Sequence, residues 1–106
     1  MENQDIYTLQ NEQTTGNGNA YTISRRPGEI AVYVIWSAGV TAGAVTIETA
    51  DVTTYAGTWA ALGTVTTSAA SKIDIFSYTG VLAAVRARIS TTVTGGTVTV
   101  KILARS

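Results

Sequence analysis

Three carboxylate residues, Glu48, Asp51 and Asp74, are the side chains in this sequence that come nearest to catalytic groups. Two carboxylates held at a fixed separation are the machinery of glycoside hydrolysis. The spacing along the chain singles out no such pair, because we expect Asp51 in a loop and Glu48 on the outward face of a strand. The three residues also fail to match a calcium-loop pattern. We therefore predict no catalytic site and no metal site.

The residues that most enzymes use are missing. The chain has no histidine and no cysteine. Histidine is the commonest general base and metal ligand, while cysteine is a frequent nucleophile and the other usual zinc ligand. The glycines at 16, 18, 39 and 43 lack the lysine and the following helix of a phosphate-binding loop. We therefore predict a non-enzymatic protein that needs no cofactor.

Charge is sparse and balanced. Seven basic and seven acidic residues cancel, and charged residues make up 13% of the chain, about half of the usual share of about 25%. A nucleic-acid-binding protein normally carries a positive excess, because contacts with phosphates supply much of its affinity. The longest apolar run, Ile30–Trp36, is far shorter than a membrane span. We predict neither nucleic acid nor a membrane as a partner.

The composition indicates an all-β chain. Thr, Val and Ile together number 39, whereas Leu occurs four times in the 106 residues. These β-branched residues favour strands over helices. Seven or eight short strands with frequent turns predict a two-layer antiparallel β-sandwich of jelly-roll or immunoglobulin-like type. We predict a polar N-terminal arm over residues 1–20 and the β-sandwich domain over residues 21–106. The arm is either frayed or an edge strand, or it docks on a neighbouring subunit through Ile6 and Leu9.

The strand predicted over residues 29–37 is apolar on both faces. Its even positions continue to Trp36 and are expected to face the core. Its odd positions, Ala31, Tyr33 and Ile35, then lie on the outer face of a sheet, which is normally polar in a two-layer sandwich. This outer face needs a cover, from a loop or the arm of the same chain or from a neighbouring subunit. We therefore name these three residues as interface candidates.

The pair Gly95–Gly96 is a signal for a two-residue β-hairpin. Pairing outward from it sets Val93 opposite Val98 and places the apolar residues of both strands on one face. The same register sets Arg86 opposite Arg105, so both splay into water or an acidic group of a partner holds them. The hairpin would carry a basic stripe, which adds four interface candidates: Arg86, Arg88, Lys101 and Arg105.

Aromatic residues leave a second class of function open. Trp36 continues an apolar strand face and is expected in the core. Trp59 is also expected in the core, closing one end of the sandwich. The alternative is a carbohydrate-binding module that stacks sugar rings on Trp59, Tyr55 and Tyr78.

Two stretches resemble a pattern found in small β-sandwich proteins of tailed bacteriophages and prophages. The first, GAVTIETADVTTYAGTWAALG, contains a strand that ends in Glu48, a loop and the Gly-Thr-Trp of residues 57–59. The second, GVLAAVRARISTTVTGGTVTVKI, begins at Gly80 within the predicted strand Thr79–Arg86 and contains the Thr-Gly-Gly-Thr-Val of residues 94–98. The resemblance covers roughly the C-terminal two thirds of the chain.

That resemblance implies a structural component of the virion. Within that class we favour a capsid decoration (cement) protein, made in the host cytoplasm and bound to the capsid surface, where it clamps capsomers. Its expected partner is the major capsid protein or another virion protein, and a homotrimer or homodimer is expected. A head–tail adaptor or a tail or fibre module is the alternative within the same class.

Overall fold

The computed structural model describes residues 4–22, 29–67, 70–79 and 83–105. These residues form strands and no helix, so none of them belongs to a helix that could cross a membrane. The strands are β1 (Gln4–Gln13), β2 (Ala20–Thr22), β3 (Glu29–Trp36), β4 (Ala42–Ala50), β5 (Ala60–Thr67), β6 (Lys72–Thr79), β7 (Ala84–Thr94) and β8 (Val98–Arg105). They make two antiparallel sheets of four, which confirms the predicted two-layer all-β sandwich.

The strand order identifies the type of sandwich. The first sheet has the order β1-β8-β3-β6 and the second sheet has the order β2-β7-β4-β5. The pairings are nested along the chain: β1 with β8, β2 with β7, β3 with β6 and β4 with β5. This nesting is the eight-stranded jelly roll built from two Greek keys. Of the two types that the sequence left open, the structure therefore has the jelly-roll order.

The core lies between the inner faces of the two sheets. The even positions of β3 are buried as predicted, and Trp36 is 1% exposed. Because side chains alternate along a strand, the same rule turns Val45 and Ile47 of β4 inward from the opposite sheet. Fully burying a side chain of this size stabilises the fold by roughly 1.5–3 kcal/mol. The core therefore depends on β-branched residues that also suit the strand conformation.

The predicted hairpin at Gly95–Gly96 is wrong. Strand β7 belongs to the second sheet and β8 to the first, so the chain crosses between the sheets at this turn. Val93 and Val98 are both buried, as the hairpin register required. The error has a geometric cause, because the inner faces of the two sheets of a sandwich pack against each other. Side chains that would share one face of a hairpin therefore share one core instead.

A second crossing packs beside this one. The connection from β3 to β4 also passes from the first sheet to the second, and the two loops bond to each other. The amide of Thr97 donates to the Oγ of Ser37 at 2.9 Å, and the amide of Thr41 donates to the carbonyl of Thr94 at 2.8 Å. Gly39 and Gly95 have φ angles of 91° and 84° and lie in close contact. The paired loops thus tie the sheets together at one end.

Part of the predicted N-terminal arm is an edge strand. Residues 4–13 form β1, which pairs with β8. Leu9 is fully buried in the chain's own core, which corrects its assignment to an intersubunit interface. Ile6, on the same strand, is 69% exposed. Docking of this segment on a neighbouring subunit stays a prediction. Of the two residues named for it, Ile6 is accessible to a neighbour and Leu9 is not.

Candidate functional site

The outer surface of the first sheet carries a group of apolar side chains that nothing in the described chain covers fully. We call this group the apolar face. It consists of Ile6 from β1, Ala31, Tyr33 and Ile35 from β3, Ile73 and Ile75 from β6, and Leu103 from β8. All of them lie on one side of the sheet because strand register places them opposite or diagonal to the outward positions of β3, which alternate with its buried ones. The three interface candidates of β3 lie within it.

Strand register brings these residues together. Tyr33 lies opposite Ile75 on one side and opposite Lys101 on the other, while Ile35 lies opposite Ile73. Side chains directly opposite each other in an antiparallel pair have their Cβ atoms about 4.5–5.5 Å apart. The apolar side chains of β3 and β6 therefore form one continuous strip, with the ammonium group of Lys101 beside it.

The exposure of this strip is unusual for isoleucine, one of the residue types most often buried. Ile73 is 58% exposed, Ile75 is 60% exposed and Tyr33 is 36% exposed. Removing apolar surface from water is worth roughly 25 cal/mol for each Å². Contiguous exposed apolar patches mark interaction sites. What this face can do chemically is bind another apolar surface.

The outer face of the second sheet is different because its charged side chains pair with one another. Glu48 is 5% exposed. Its Oε1 accepts a hydrogen bond from the Nε of Arg86 at 2.9 Å, and its Oε2 accepts one from the Nε of Arg88 at 2.8 Å. A carboxylate that lies so far from water needs such partners, because an unpaired buried charge is costly. This cluster is structural.

A polar ladder continues along the same face. The Oγ1 of Thr46 lies 3.1 Å from the Oγ1 of Thr64 and donates to the Oγ of Ser90 at 3.0 Å. Thr46 is 5% exposed. Hydroxyl groups that bond one another in this way leave few free donors for a ligand. Several polar side chains on the outer face of the second sheet are therefore already paired within the chain.

The proposed sugar-binding platform does not form. Trp59 is 4% exposed, its Nε1 donates to the carbonyl of Tyr55 at 3.0 Å, and its ring stacks against Arg86. Tyr78 packs against the core, which leaves Tyr55, 45% exposed, as the one accessible ring of the three. Trp59 is buried as expected, but under the loop that covers the second sheet rather than at the end of the core.

The three carboxylates are kept apart. Glu48 lies on the second sheet, Asp74 on the first, and Asp51 in the exposed loop after β4. The Oδ2 of Asp74 accepts a hydrogen bond from the Nε1 of Trp36 at 2.9 Å, and its Oδ1 lies 3.3 Å from the Nζ of Lys72. In the part of the chain that the structure describes, no three His, Cys, Asp or Glu residues gather as they would around a metal ion.

The predicted basic stripe is divided between the sheets. Arg86 and Arg88 lie on β7 in the second sheet, and Glu48 stands opposite Arg86 in the place predicted for Arg105. Lys101 lies on β8 in the first sheet and is exposed. The backbone of Arg105 pairs with β1 and β3, and its side chain is outside the described part of the structure. The four basic residues do not line up on one face, because β7 and β8 do not pair as a hairpin.

Three members of the apolar face, Ile73, Ile75 and Leu103, were missed as interface residues. The alternation of Lys72–Ser77 correctly turns Ile73 and Ile75 to one side. It does not say which side meets the core, because Asp74 and Phe76 between them give a mixed signal. Asp74 faces inward because Trp36 donates a hydrogen bond to it. A buried tryptophan usually needs a hydrogen-bond acceptor. Assigning Asp74 to Trp36 as that acceptor would have turned Asp74 inward and placed Ile73 and Ile75 on the outer face.

An open cleft of about 310 Å³ lies between β1 and the turn that follows it. Its lining includes Leu9, Gln10 and Gly18. Gln10 is 2% exposed, and its Nε2 donates to the carbonyls of Gly16 and Ala87 at 3.1 and 2.8 Å. The amide of this buried residue therefore fastens the turn to β7, which is a structural role.

Comparison with solved structures finds the same fold in phage-derived material. The SPBc2 prophage-derived protein YomS is similar over 100% of this chain and 96% of its own, with a TM-score of 0.71 and 21% identity. The PBSX exported protein XepA is similar over 99% of this chain, with a TM-score of 0.67 and 16% identity. This chain spans 38% of XepA. No protein-family model matches the chain, and no curated protein matches it.

Proposed function

We propose that this chain is a non-enzymatic structural protein of a bacteriophage particle, and that it decorates the capsid. In this role the apolar face binds the outer surface of the major capsid protein and clamps neighbouring capsomers. The observation that carries the proposal is the exposure of Ile6, Ile73 and Ile75, at 69%, 58% and 60%. No buried side-chain nitrogen or oxygen of the described residues lacks a hydrogen-bond partner, so these exposed apolar side chains are the groups that a partner would contact.

One further observation and one general argument support the proposal. The fold is shared with a prophage-derived protein over nearly the whole of both chains. A decoration protein also does not need high affinity in each copy, because a symmetric lattice presents many identical sites and the total stabilisation grows with their number. An apolar face of moderate size on a small sandwich is sufficient for that purpose.

A second candidate is an exported phage product that acts outside the particle. The observation that favours it is the likeness to XepA, an exported protein. In this case the apolar face binds a target other than the capsid. The head–tail adaptor and the tail or fibre module remain the alternatives within the virion.

Fractionation of phage lysate tests these proposals. Particles of the phage that encodes the chain are purified and separated into heads, tails and unassembled protein, and the chain is quantified in each by mass spectrometry. We expect it with the heads, in a copy number that scales with the major capsid protein. Recovery with tails alone supports the adaptor or fibre alternative, and recovery only as free protein supports the exported one. Either result overturns capsid decoration.

A variant pair tests the assigned face. Ile6→Lys places a charge on the apolar face and should lower head binding when purified protein is added to undecorated heads. Val52→Lys is the matched control, because Val52 is 50% exposed but lies in the loop after β4, away from this face. Equal binding by the two variants would remove the apolar face from the proposal.

A further inference from the structure

The four edge strands of the sandwich differ in how well they are protected. A sheet edge presents unpaired backbone N–H and C=O groups, and proteins blunt it with short strands or bulges so that other chains do not pair there. Strand β2 has three residues. Strand β1 is interrupted between Thr8 and Gln10, and β5 is irregular where it meets Ile47 and Glu48. These three edges are blunted.

Strand β6 is the exception. It pairs with β3 over eight residues, Lys72–Thr79, without a shift in register. No strand in the described part of the chain pairs with its other edge. Its outward side chains include Ile73 and Ile75, and its two charges, Lys72 and Asp74, form an ion pair within the strand. Charged side chains are one of the devices that protect an edge, but Lys72 and Asp74 pair with each other, so this long and regular edge has no net charge to repel a second copy.

We propose that β6 is a dimerisation edge, at which β6 of a second copy of this chain adds in the antiparallel direction about a two-fold axis. The first sheets of the two copies then join into one eight-stranded sheet. The two-fold axis stands perpendicular to the sheet, so outward side chains of both copies stay on the same side. The two apolar faces become one continuous surface of twice the area.

The side chains select one register. Residues directly opposite each other must lie on the same face, so odd positions pair with odd ones. A register that sets Asp74 opposite itself brings two carboxylates together and is disfavoured. The register centred on Ile75 sets Ile75 opposite Ile75 of the second copy and Ile73 opposite Ser77. It uses seven of the eight residues and places no like charges in opposition. The register centred on Phe76 meets the same two conditions, but of the two only the register centred on Ile75 sets two exposed isoleucines against each other.

The size of the contact predicts its strength. Seven paired residues span about 24 Å at about 3.4 Å per residue. The sandwich is 18 Å thick. The two copies together therefore bury on the order of 900 Å², which is at the low end for specific interfaces. We expect a reversible dimer whose population depends on concentration.

Cysteine cross-linking tests this register directly, because the chain has no cysteine of its own. Ile75→Cys should form a disulfide-linked dimer under mild oxidation, since opposed residues have Cα atoms about 4.5–5.5 Å apart, within disulfide reach. Ile73→Cys is the matched control, because the same register separates its two copies by about 14 Å along the strands. Equal cross-linking of the two variants, or none by Ile75→Cys, overturns the register.

Sedimentation equilibrium tests the dimer itself. Wild-type protein should shift from monomer to dimer as its concentration rises. Ile75→Lys should stay monomeric because it opposes two charges at the axis, whereas Ile6→Lys should dimerise like the wild type because it lies at the far edge of the same sheet. A wild type that stays monomeric throughout, or oligomers that persist in Ile75→Lys, would contradict the proposal. The readout needs no capsid, so it is independent of the proposed function.

Discussion

The guanidinium carbon of Arg86 lies 4.4 Å from the centre of the Trp59 ring. This stacking joins the loop that ends at Trp59 to the outer face of the second sheet, where the same guanidinium holds Glu48. Attraction between a cation and an indole face adds to the ion pair. Part of the outer face of the second sheet is thus covered by the loop that ends at Trp59. Within the described residues the outer face of the first sheet has no comparable cover, and this asymmetry supports the proposal that it is the face that binds a partner.

Replacing Glu48 with Gln should destabilise the fold by about 3 kcal/mol, the lower end of the range for breaking a buried ion pair. The lower end is expected because the side chain of Arg88 is 40% exposed and can turn into water, whereas that of Arg86 is 18% exposed. Urea unfolding followed by circular dichroism measures the loss. Asp51→Asn, in an exposed loop, is the control and should change stability by less than about 0.5 kcal/mol.

Removing the indole of Trp59 should also destabilise the protein. Trp59→Ala should cost about 3 kcal/mol, because it leaves a cavity beneath the loop. Trp59→Phe keeps a ring over Arg86 but loses the hydrogen bond to the carbonyl of Tyr55, so it should cost about 1 kcal/mol. Thermal or urea unfolding ranks the two variants. A Trp59→Ala protein as stable as the wild type would mean that the ring does not cover the sheet.

Leu9 and Ile6 offer a matched pair on one strand. Leu9→Ala should lower the free energy of unfolding by about 2–5 kcal/mol, because Leu9 is fully buried in the core. Ile6→Ala should change it by less than about 0.5 kcal/mol, because its side chain is mostly in water. Denaturant titration of both variants checks the difference. Similar values for the two would show that β1 does not pack as an integral strand.

Gly95 and Gly16 both have positive φ angles, 84° and 108°. An alanine side chain at Gly16 would meet open space, so Gly16→Ala should cost about 1 kcal/mol of backbone strain. At Gly95 the added carbon would strike the carbonyl oxygen of Gly39. Gly95→Ala should therefore be clearly the more destabilising of the two. Melting temperatures measured side by side test this order, and the reverse order would contradict the close packing of the two crossing loops.

The alternation of side chains along single strands was predictable from sequence. The inward direction of Ile30, Val32 and Val34 follows from the two-residue period, and so does the outward direction of Tyr33. The β class follows from the abundance of β-branched residues. These properties depend on residues that are close together in the chain, so a single sequence contains them.

The partner of each strand was not predictable in the same way. The same inward-facing side chains, such as Val93 and Val98, are compatible with two arrangements. Strands β7 and β8 can pair side by side in one sheet, or they can face each other across the core. The opposition of Arg86 to Glu48 rather than to Arg105 depends on that choice. So does the burial of Trp59 against Arg86, because the loop needs the second sheet beneath it.

What the sequence by itself determined is a sandwich of short strands, free of histidine and cysteine, with an apolar outer side on the strand that contains Tyr33. Only the tertiary structure decided that the sandwich is a jelly roll, that Leu9 belongs to the core, and that Ile73 and Ile75 extend the exposed face beside Tyr33. The physical reason is that local periodicity sets the direction of a side chain. Pairing between distant strands sets what that side chain meets.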